Sequence, residues 1–316
     1  MAADLGATMQ ALYRQFGELP GVSIELHKEL LAVRIDNAKA SATVFLQGAQ
    51  LSQFQRRGEP PLIWCSAQCD YRTGVPLRGG IPVCWPWFGV LDKNPPAVQK
   101  QISGEAAAHG FVRKREWSLA DIQQPNPNQT QLIFTLTLQT GEEPQWPHAT
   151  RLTLALTIGE TLEVAFTVQN LSDQTVSFSS ALHSYFAVGN IEQASLDGLQ
   201  DLTYLDCLKE WTPRQQQGVL SIDQEVDRIY HGTAKQPIRL ADSAWQRVIE
   251  VACSGSDSAV IWNPWIEKSR HLSHFADTAY RDMLCIETAN ADNNFVQLQP
   301  SQQHQMTVSI SSRPLN

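Results

Sequence analysis

Positive charge is what this chain of 316 residues is short of: 24 lysines and arginines stand against 32 aspartates and glutamates, a formal charge of −8. Wholesale binding to nucleic acid or to an anionic membrane needs an electropositive face, so neither is expected as a partner. An anionic ligand must then be small and held by a local cluster of cations. Long apolar runs are missing as well. The stretch from Ile81 to Val90 is broken by Pro82 and Pro86, and nothing approaches the roughly 18 apolar residues of a membrane-spanning helix. From Met1 to Gln10 there is an Asp4 and neither a basic start nor a sustained apolar segment. No secretory leader is expected there, and a cytoplasmic protein is.

Cysteines are few for this length: Cys65, Cys69, Cys84, Cys207, Cys253 and Cys285. Four sit among apolar or aromatic neighbours, as reduced core thiols do, which argues against a disulfide framework. Cys65 and Cys69 are spaced like half of a zinc site, but no second pair or downstream histidine pair completes four ligands. Three chemical signatures are also absent: a G-x-S-x-G elbow, a Walker A loop, and a G-x-G-x-x-G that opens a helix after a strand. Acyl-enzyme and nucleotide chemistry thereby lose their usual warrant.

What is present can fill a sizeable core, with 42% hydrophobic and 18% charged residues. Met9, Leu12, Tyr13 and Phe16 recur at helical spacing between Ala7 and Glu18, and Pro20-Gly21 stops the pattern. A short helical extension over residues 1–20 is expected ahead of one domain over 21–316. The period then changes to two. Leu152, Leu154 and Leu156 alternate with Thr153 and Thr157, Gly159-Glu160 allows a tight turn, and Leu162, Val164, Phe166 and Val168 alternate again. Similar runs lie at Ala42 to Leu46, Leu132 to Leu138, Val176 to Leu182, Arg247 to Val251, Ala259 to Trp262, Met283 to Glu287 and Met306 to Ser311. Many short strands with little helix between them predict a mainly β protein, an antiparallel β-sandwich. Pro125 to Asn128 reads as a surface loop.

Strands built from Val, Leu and Thr give no reason for four segments dense in Trp, Pro, Gly and charge. They run from Leu77 to Gly89, Ala108 to Arg113, Ala181 to Phe186, and Ile261 to Ser269 continuing at Cys285 to Asn290. Each joins a titratable or cationic residue to rigid surroundings, which suits a preorganised small-molecule pocket. Arg78 precedes two glycines that would let backbone and guanidinium approach one ligand, and Arg113 lies in a second cationic run. Taken alone, two surface arginines would look the same. His183 ends a strand-like run before Tyr185 and Phe186, where an imidazole can exchange protons near neutral pH or be an ordinary hydrogen-bonded histidine. On the run from Met283, alternation sends Leu284 and Ile286 to one face and Cys285 and Glu287 to the other. Glu287 is therefore either a solvated strand end or a half-buried carboxylate with a task. Glu267, His271, His274 and Asp277 have the most metal-like spacing, yet they lack an H-E-x-x-H pattern and read as a polar loop. Trp64, Trp85, Trp87, Trp262 and Trp265 could offer flat faces to sugar C–H groups or simply fill the core.

In order, the chain carries R-G-G-I-P-x-x-x-P-x-F-G, A-H-G-F-x-R, L-H-S-Y-F, W-N-P-W-I-E-K-S and C-I-E-T. This ordered set resembles the aldose 1-epimerase superfamily, and most closely its hexose-6-phosphate mutarotase (glucose-6-phosphate 1-epimerase) branch, from about Ile24 to Ser312. The resemblance implies a β-sandwich of the galactose-mutarotase type, no required metal or other cofactor, and exchange of the α and β anomers of a hexose 6-phosphate. It implies that His183 is the general acid and Glu287 the general base. Arg78 and Arg113 would be phosphate-side cations, and His109 and Asp206 would contact sugar hydroxyls. The chain departs from the family at Leu298-Gln299-Pro300-Ser301, where Ser301 stands at a usual glycine. A monomeric or weakly associating enzyme is expected. The rival readings are a mutarotase for free aldoses, a non-catalytic sugar-phosphate binder, and, last, a glycosidase, which would need a second carboxylate.

Overall fold

The computed structural model describes residues 5–315. Residues 1–4 of the expected N-terminal extension, and of the segment read as carrying no leader, lie outside the described residues, as does Asn316. The helix covers Leu5–Phe16 and lays Leu12 and Phe16 into the main apolar cluster, beside Val22 and Ile24 of the first strand. Among the described residues no helix is long and apolar enough to cross a membrane.

Strand makes up 47% of the structure and helix 13%, so the mainly β expectation holds. Two large antiparallel sheets dominate. One has nine strands, centred on Thr150–Ile158, Leu162–Asn170 and Gln303–Pro314. The other has eight and runs from Thr212–Gln215 through Thr203–Asp206, Val226–His231, Ser258–Asn263, Met283–Asn290 and Ser180–Leu182 to Val83–Cys84, with Tyr185–Ala187 also paired to Met283–Asn290. Leu152, Leu154, Leu156, Val164, Phe166 and Val308 of the first join Tyr230, Ile261, Leu284 and Ile286 of the second in one buried cluster. Alternation dictates this layering, because every second side chain of a strand points to the same face. The turn at Gly159-Glu160 pairs its two strands as the pattern predicts, and Pro125 to Asn128 closes a hairpin between Ser118–Asn126 and Gln129–Leu138.

The predicted run Val176 to Leu182 is two strands. Val176–Phe178 pairs with Val296–Leu298, whereas Ser180–Leu182 pairs with Met283–Asn290. Ser179 makes the switch: its N–H donates to the Pro86 carbonyl at 3.1 Å and its hydroxyl accepts from the Phe88 N–H at 2.8 Å. The chain thereby leaves one sheet for the other and drags the Pro86-Phe88 loop with it. Ser301 keeps a left-handed backbone, with φ +68, so the turn retains the glycine-type conformation despite the serine.

Candidate active site

The eight-stranded sheet has two covered faces. Along Met283–Asn290, Leu284 and Ile286 enter the sandwich core, while Cys285, Glu287 and Ala289 point the other way, and all are buried. Leu182 pairs with Thr288 and Tyr185 pairs with Cys285 without any change of register. His183 therefore falls opposite Glu287 on the same face. Two residues far apart in the chain become cross-strand neighbours, the closest relation a sheet offers. Their neighbours follow from the same ladder: Val260 lies opposite Glu287, Trp262 opposite Cys285 and Asp227 opposite Trp262.

His183 Nδ1 stands 3.4 Å from Glu287 Oε1 on the wall of a cavity of about 280 Å³. Tyr185 stacks on the imidazole at 4.7 Å between ring centroids, with 6° between the planes, and Trp262 meets it edge-on at 6.2 Å. The ring is thus clamped from two sides. Yet among the described residues His183 Nδ1 and Glu287 Oε2, both buried, have no hydrogen-bond partner. A buried polar atom without a partner costs on the order of 1–3 kcal/mol, so two adjacent ones mark a place where stability yields to chemistry. Burial, followed by the charges of His109, Arg113 and Arg78, holds His183 well below the usual histidine range. Burial, followed by the carboxylate of Asp227, pushes Glu287 well above the usual carboxylate range. Each group resists its charged form, so the pair holds one proton between them across neutral pH.

His109 lies beside this pair, its ring centroid 5.3 Å from that of His183. Gly110 makes the approach possible: at φ +67 its backbone passes Trp85, and an added Cβ would sit 1.9 Å from the Trp85 carbonyl oxygen. The Gly89 N–H donates to His109 Nδ1 at 3.3 Å, which leaves the ring proton on Nε2. Desolvation, then the charges of Arg113 and Arg78, bring His109 down to about 3. A depressed histidine stabilises the fold fully above its unfolded value near 6.5, and that contribution is lost as pH falls below it. We expect the melting temperature to drop below pH 6.5, with His109 approaching the one-proton limit of about 1.4 kcal/mol per pH unit, while the proton His183 gains on unfolding is offset by the one Glu287 loses. His109→Asn, which suits the positive φ of this position and can still accept from Gly89, is expected to flatten the slope. An unchanged slope by thermal melts between pH 5 and 8 would contradict a neutral His109.

The structure brings Arg78 to the cavity but not Arg113. Arg78 also lines it, with Nε donating to the Ser273 carbonyl at 3.3 Å. Arg113 is absent from the lining because its guanidinium turns back on its own loop, donating to the Ala108 carbonyl at 2.8 Å. It acts on His109 and His183 as a fixed charge behind the wall. Asp206 is also absent from the cavity, and strand parity gives the reason. It pairs with Arg228, whose side chain shares the face opposite to Asp227 and Ile229. The Asp206 carboxylate instead accepts from the Leu208 N–H at 3.2 Å and approaches Arg214 Nε at 3.6 Å. Asp227 lines the cavity instead. Lys93 and Lys268 complete the set of cavity cations. Lys268 is shared by Glu225 at 3.0 Å and Asp227 at 3.9 Å, whereas Arg78 and Lys93 form no ion pair within 4.0 Å among the described residues.

The tryptophans divide. Trp262 and Trp211 line the cavity, Trp64 stacks on Tyr185, and Trp85 and Trp87 are fully buried core. Glu267, His271 and His274 do not assemble. The helix Trp265–Ser269 stops before the histidines, Glu267 pairs with Arg270 at 2.8 Å, and His274 Nδ1 meets the Gln68 carbonyl. One trio of metal-ligating types does gather among the described residues: His183, Cys285 and Glu287, with ligand atoms within 4.8 Å of one another. Burial, followed by the charge of Glu287, pushes the Cys285 thiol well above its usual range in the absence of a metal.

Comparison with known proteins identifies the family and the fold. The aldose 1-epimerase family model matches residues 32–311. A protein of Escherichia coli K12, provisionally named a glucose-6-phosphate 1-epimerase, is 31% identical over 264 residues, 83% of this chain and 84% of that one. One from Salmonella typhimurium with the same provisional name is 30% identical over 291 residues, 90% of this chain and 92% of that one. A crystal structure from Salmonella typhimurium, provisionally described as a mutarotase, superposes with a TM-score of 0.84 at 28% identity, covering 94% of this chain and 95% of that one. A galactose mutarotase-like protein of Clostridium acetobutylicum shares the fold at a TM-score of 0.74 and 14% identity, covering 93% of this chain and 98% of that one. The chain belongs to the aldose 1-epimerase family and folds as a β-sandwich of the galactose-mutarotase type.

Proposed function

We propose that this protein is a hexose-6-phosphate mutarotase, which interconverts the α and β anomers of glucose 6-phosphate and related hexose 6-phosphates by acid/base ring opening and closure. The carrying observation is the facing pair His183 and Glu287, each with an unpartnered buried atom, on the wall of a sugar-sized cavity. Two cations lining the cavity, Arg78 and Lys93, form no ion pair among the described residues, which favours a dianionic substituent over a plain hydroxymethyl group. The provisional names of the Escherichia coli and Salmonella typhimurium relatives point the same way. Six free cysteines fit a cytoplasmic site of action.

Glu287 takes the proton of the O1 hydroxyl as His183 gives one to the ring oxygen O5. The C1–O5 bond breaks and C1 becomes an aldehyde. Rotation about C1–C2 presents the other carbonyl face. Glu287 then returns its proton to O1, His183 takes back the O5 proton, and the ring closes. The pair alternates between an ion pair with the closed sugar and two neutral groups with the open one. Burial favours the neutral arrangement, so the site lowers the energy of the open aldehyde relative to water. Asp227 and His109, on opposite sides of the pair, are placed for sugar hydroxyls, and Trp262 for an apolar ring face.

The test is anomer exchange followed by NMR or polarimetry with α-glucose 6-phosphate and α-glucose. Catalysis of the phosphorylated sugar well above that of the free sugar is expected. Equal acceleration of both would favour a mutarotase for free aldoses, and none would favour a sugar-phosphate binder.

A further inference from the structure

The thiols of Cys65 and Cys69 have no part in this chemistry, yet they sit directly beneath Arg78. Their sulfurs are 3.8 Å apart. Both thiols lie 3.5 Å from the Arg78 carbonyl oxygen, and the Arg78 N–H points at Cys69 Sγ from 3.3 Å. The backbone around them has no slack. Cys65 bridges Gly79, the Ser66 N–H donates to the Arg78 carbonyl at 2.9 Å, and a Cβ on Gly79 would lie 2.5 Å from the Cys65 Cα. Any movement of the sulfurs must therefore be absorbed by the Ser66-Cys69 turn and by the peptide that carries Arg78.

Cys65 is half-buried, and Cys69 is buried behind it. A groove of about 560 Å³, separate from the active-site cavity, is lined by Cys65 together with Arg34, Gln53, Trp64 and Trp245. The Cys65 thiol and the Arg78 N–H stabilise a Cys69 thiolate, which brings it to about 7, while its hydrogen-bonded partner Cys65 is raised. One sulfur is thus a nucleophile near neutral pH and the other a protonated thiol within reach of it, the arrangement of an attacking and a resolving cysteine. Cys84 and Cys285 are fully buried and pushed well up, so they are shielded from the same oxidant.

We propose that Cys65 and Cys69 are an oxidative modification site: hydrogen peroxide converts them to a disulfide that shifts Arg78 and weakens binding of the phosphorylated sugar. The Cys69 thiolate attacks one peroxide oxygen, the O–O bond breaks, and with one proton taken up a water leaves Cys69 as a sulfenic acid. The Cys65 sulfur then displaces the sulfenic hydroxyl, the S–S bond forms, and the thiol proton departs with that hydroxyl as a second water. Two electrons from the two sulfurs reduce one peroxide to two waters. The sulfurs close by about 1.8 Å to reach disulfide length, and Cys69 ceases to be the thiolate that accepts from the Arg78 N–H. The effect on sugar phosphate rests on the reading of Arg78 given under Proposed function; the disulfide does not.

The experiment treats the full chain with hydrogen peroxide, counts thiols after denaturation, maps the peptides by mass, and measures the Kd for glucose 6-phosphate by calorimetry. A fall from the six thiols of the sequence by two, mapped to Cys65 and Cys69, is expected. With it comes a Kd raised about tenfold, the worth of one charge-assisted hydrogen bond, and reversal by dithiothreitol. Cys69→Ser is expected to lose no thiol and to keep its Kd through the treatment. Retention of all thiols, a disulfide between other cysteines, or an unchanged Kd in the oxidised protein would each overturn the proposal. Calorimetry needs no turnover, so a protein that binds glucose 6-phosphate without exchanging its anomers would sink the mutarotase reading and leave this one standing.

Discussion

Replacing Glu287 with Gln is expected to lower kcat for anomer exchange by about 10²- to 10⁴-fold, the usual worth of a positioned acid or base, with little change in KM. Glutamine keeps the volume of a fully buried side chain, so the variant is expected to fold, and unfolding by heat or urea checks that it does. What it removes is the ability to take the O1 proton. His183→Ala is expected to give a loss of similar size for the second transfer. Because the two groups stand 3.4 Å apart and pass a single proton count between them, the double variant is expected to fall well short of the product of the two effects. The pH profile follows from the directions of their shifts. The pair gains a second proton only below the depressed range of His183 and loses its last only above the raised range of Glu287. The rate is therefore expected to be flat across neutral pH, with no step near 6.5. A full rate in either single variant, or a titration at an ordinary histidine value, would end the acid/base assignment.

Arg78→Ala carries the second large effect. Its guanidinium reaches the cavity without a carboxylate partner, and loss of a charge-assisted contact to a buried phosphate removes about 1.5–3 kcal/mol, or roughly 10- to 100-fold in KM. The loss is expected for glucose 6-phosphate and not for glucose, which has no group for that cation to hold. The comparison is made on the same variant with both sugars, so general damage to the site is separated from loss of the phosphate contact. Equal effects on both would discredit the phosphate role. Arg113→Ala, by contrast, removes a charge and a loop tie behind the wall.

Period-two alternation makes much of the architecture legible in the sequence, because a half-buried strand announces itself one residue at a time. Leu152 to Val168 is the clearest case, and the face assigned to Glu287 follows from the same rule. Alternation says nothing about which strands pair. Asp206 and Asp227 both sit on edge-to-middle strands of one sheet, and only the register of Asp206 with Arg228 and of Asp227 with Trp262 shows that they face opposite ways. The signal that could have favoured Asp227 is its place two residues before Ile229, on the face that continues through Val260. Arg113 was misplaced for a related reason: nothing in Arg113-Lys114-Arg115 reveals that the first guanidinium folds back on Ala108. The divided run at Ser179 was hidden because a change of sheet leaves apolar spacing intact.

The adjacency of His183 and Glu287 comes from the ladder itself, with Leu182 on Thr288 before it and Tyr185 on Cys285 after it. Acid and base are carried by two strands of the sheet interior held in one register, and await no hinge or closing lid. Heat should leave the catalyst fully competent until the whole sheet gives way, so that inactivation and melting trace a single curve.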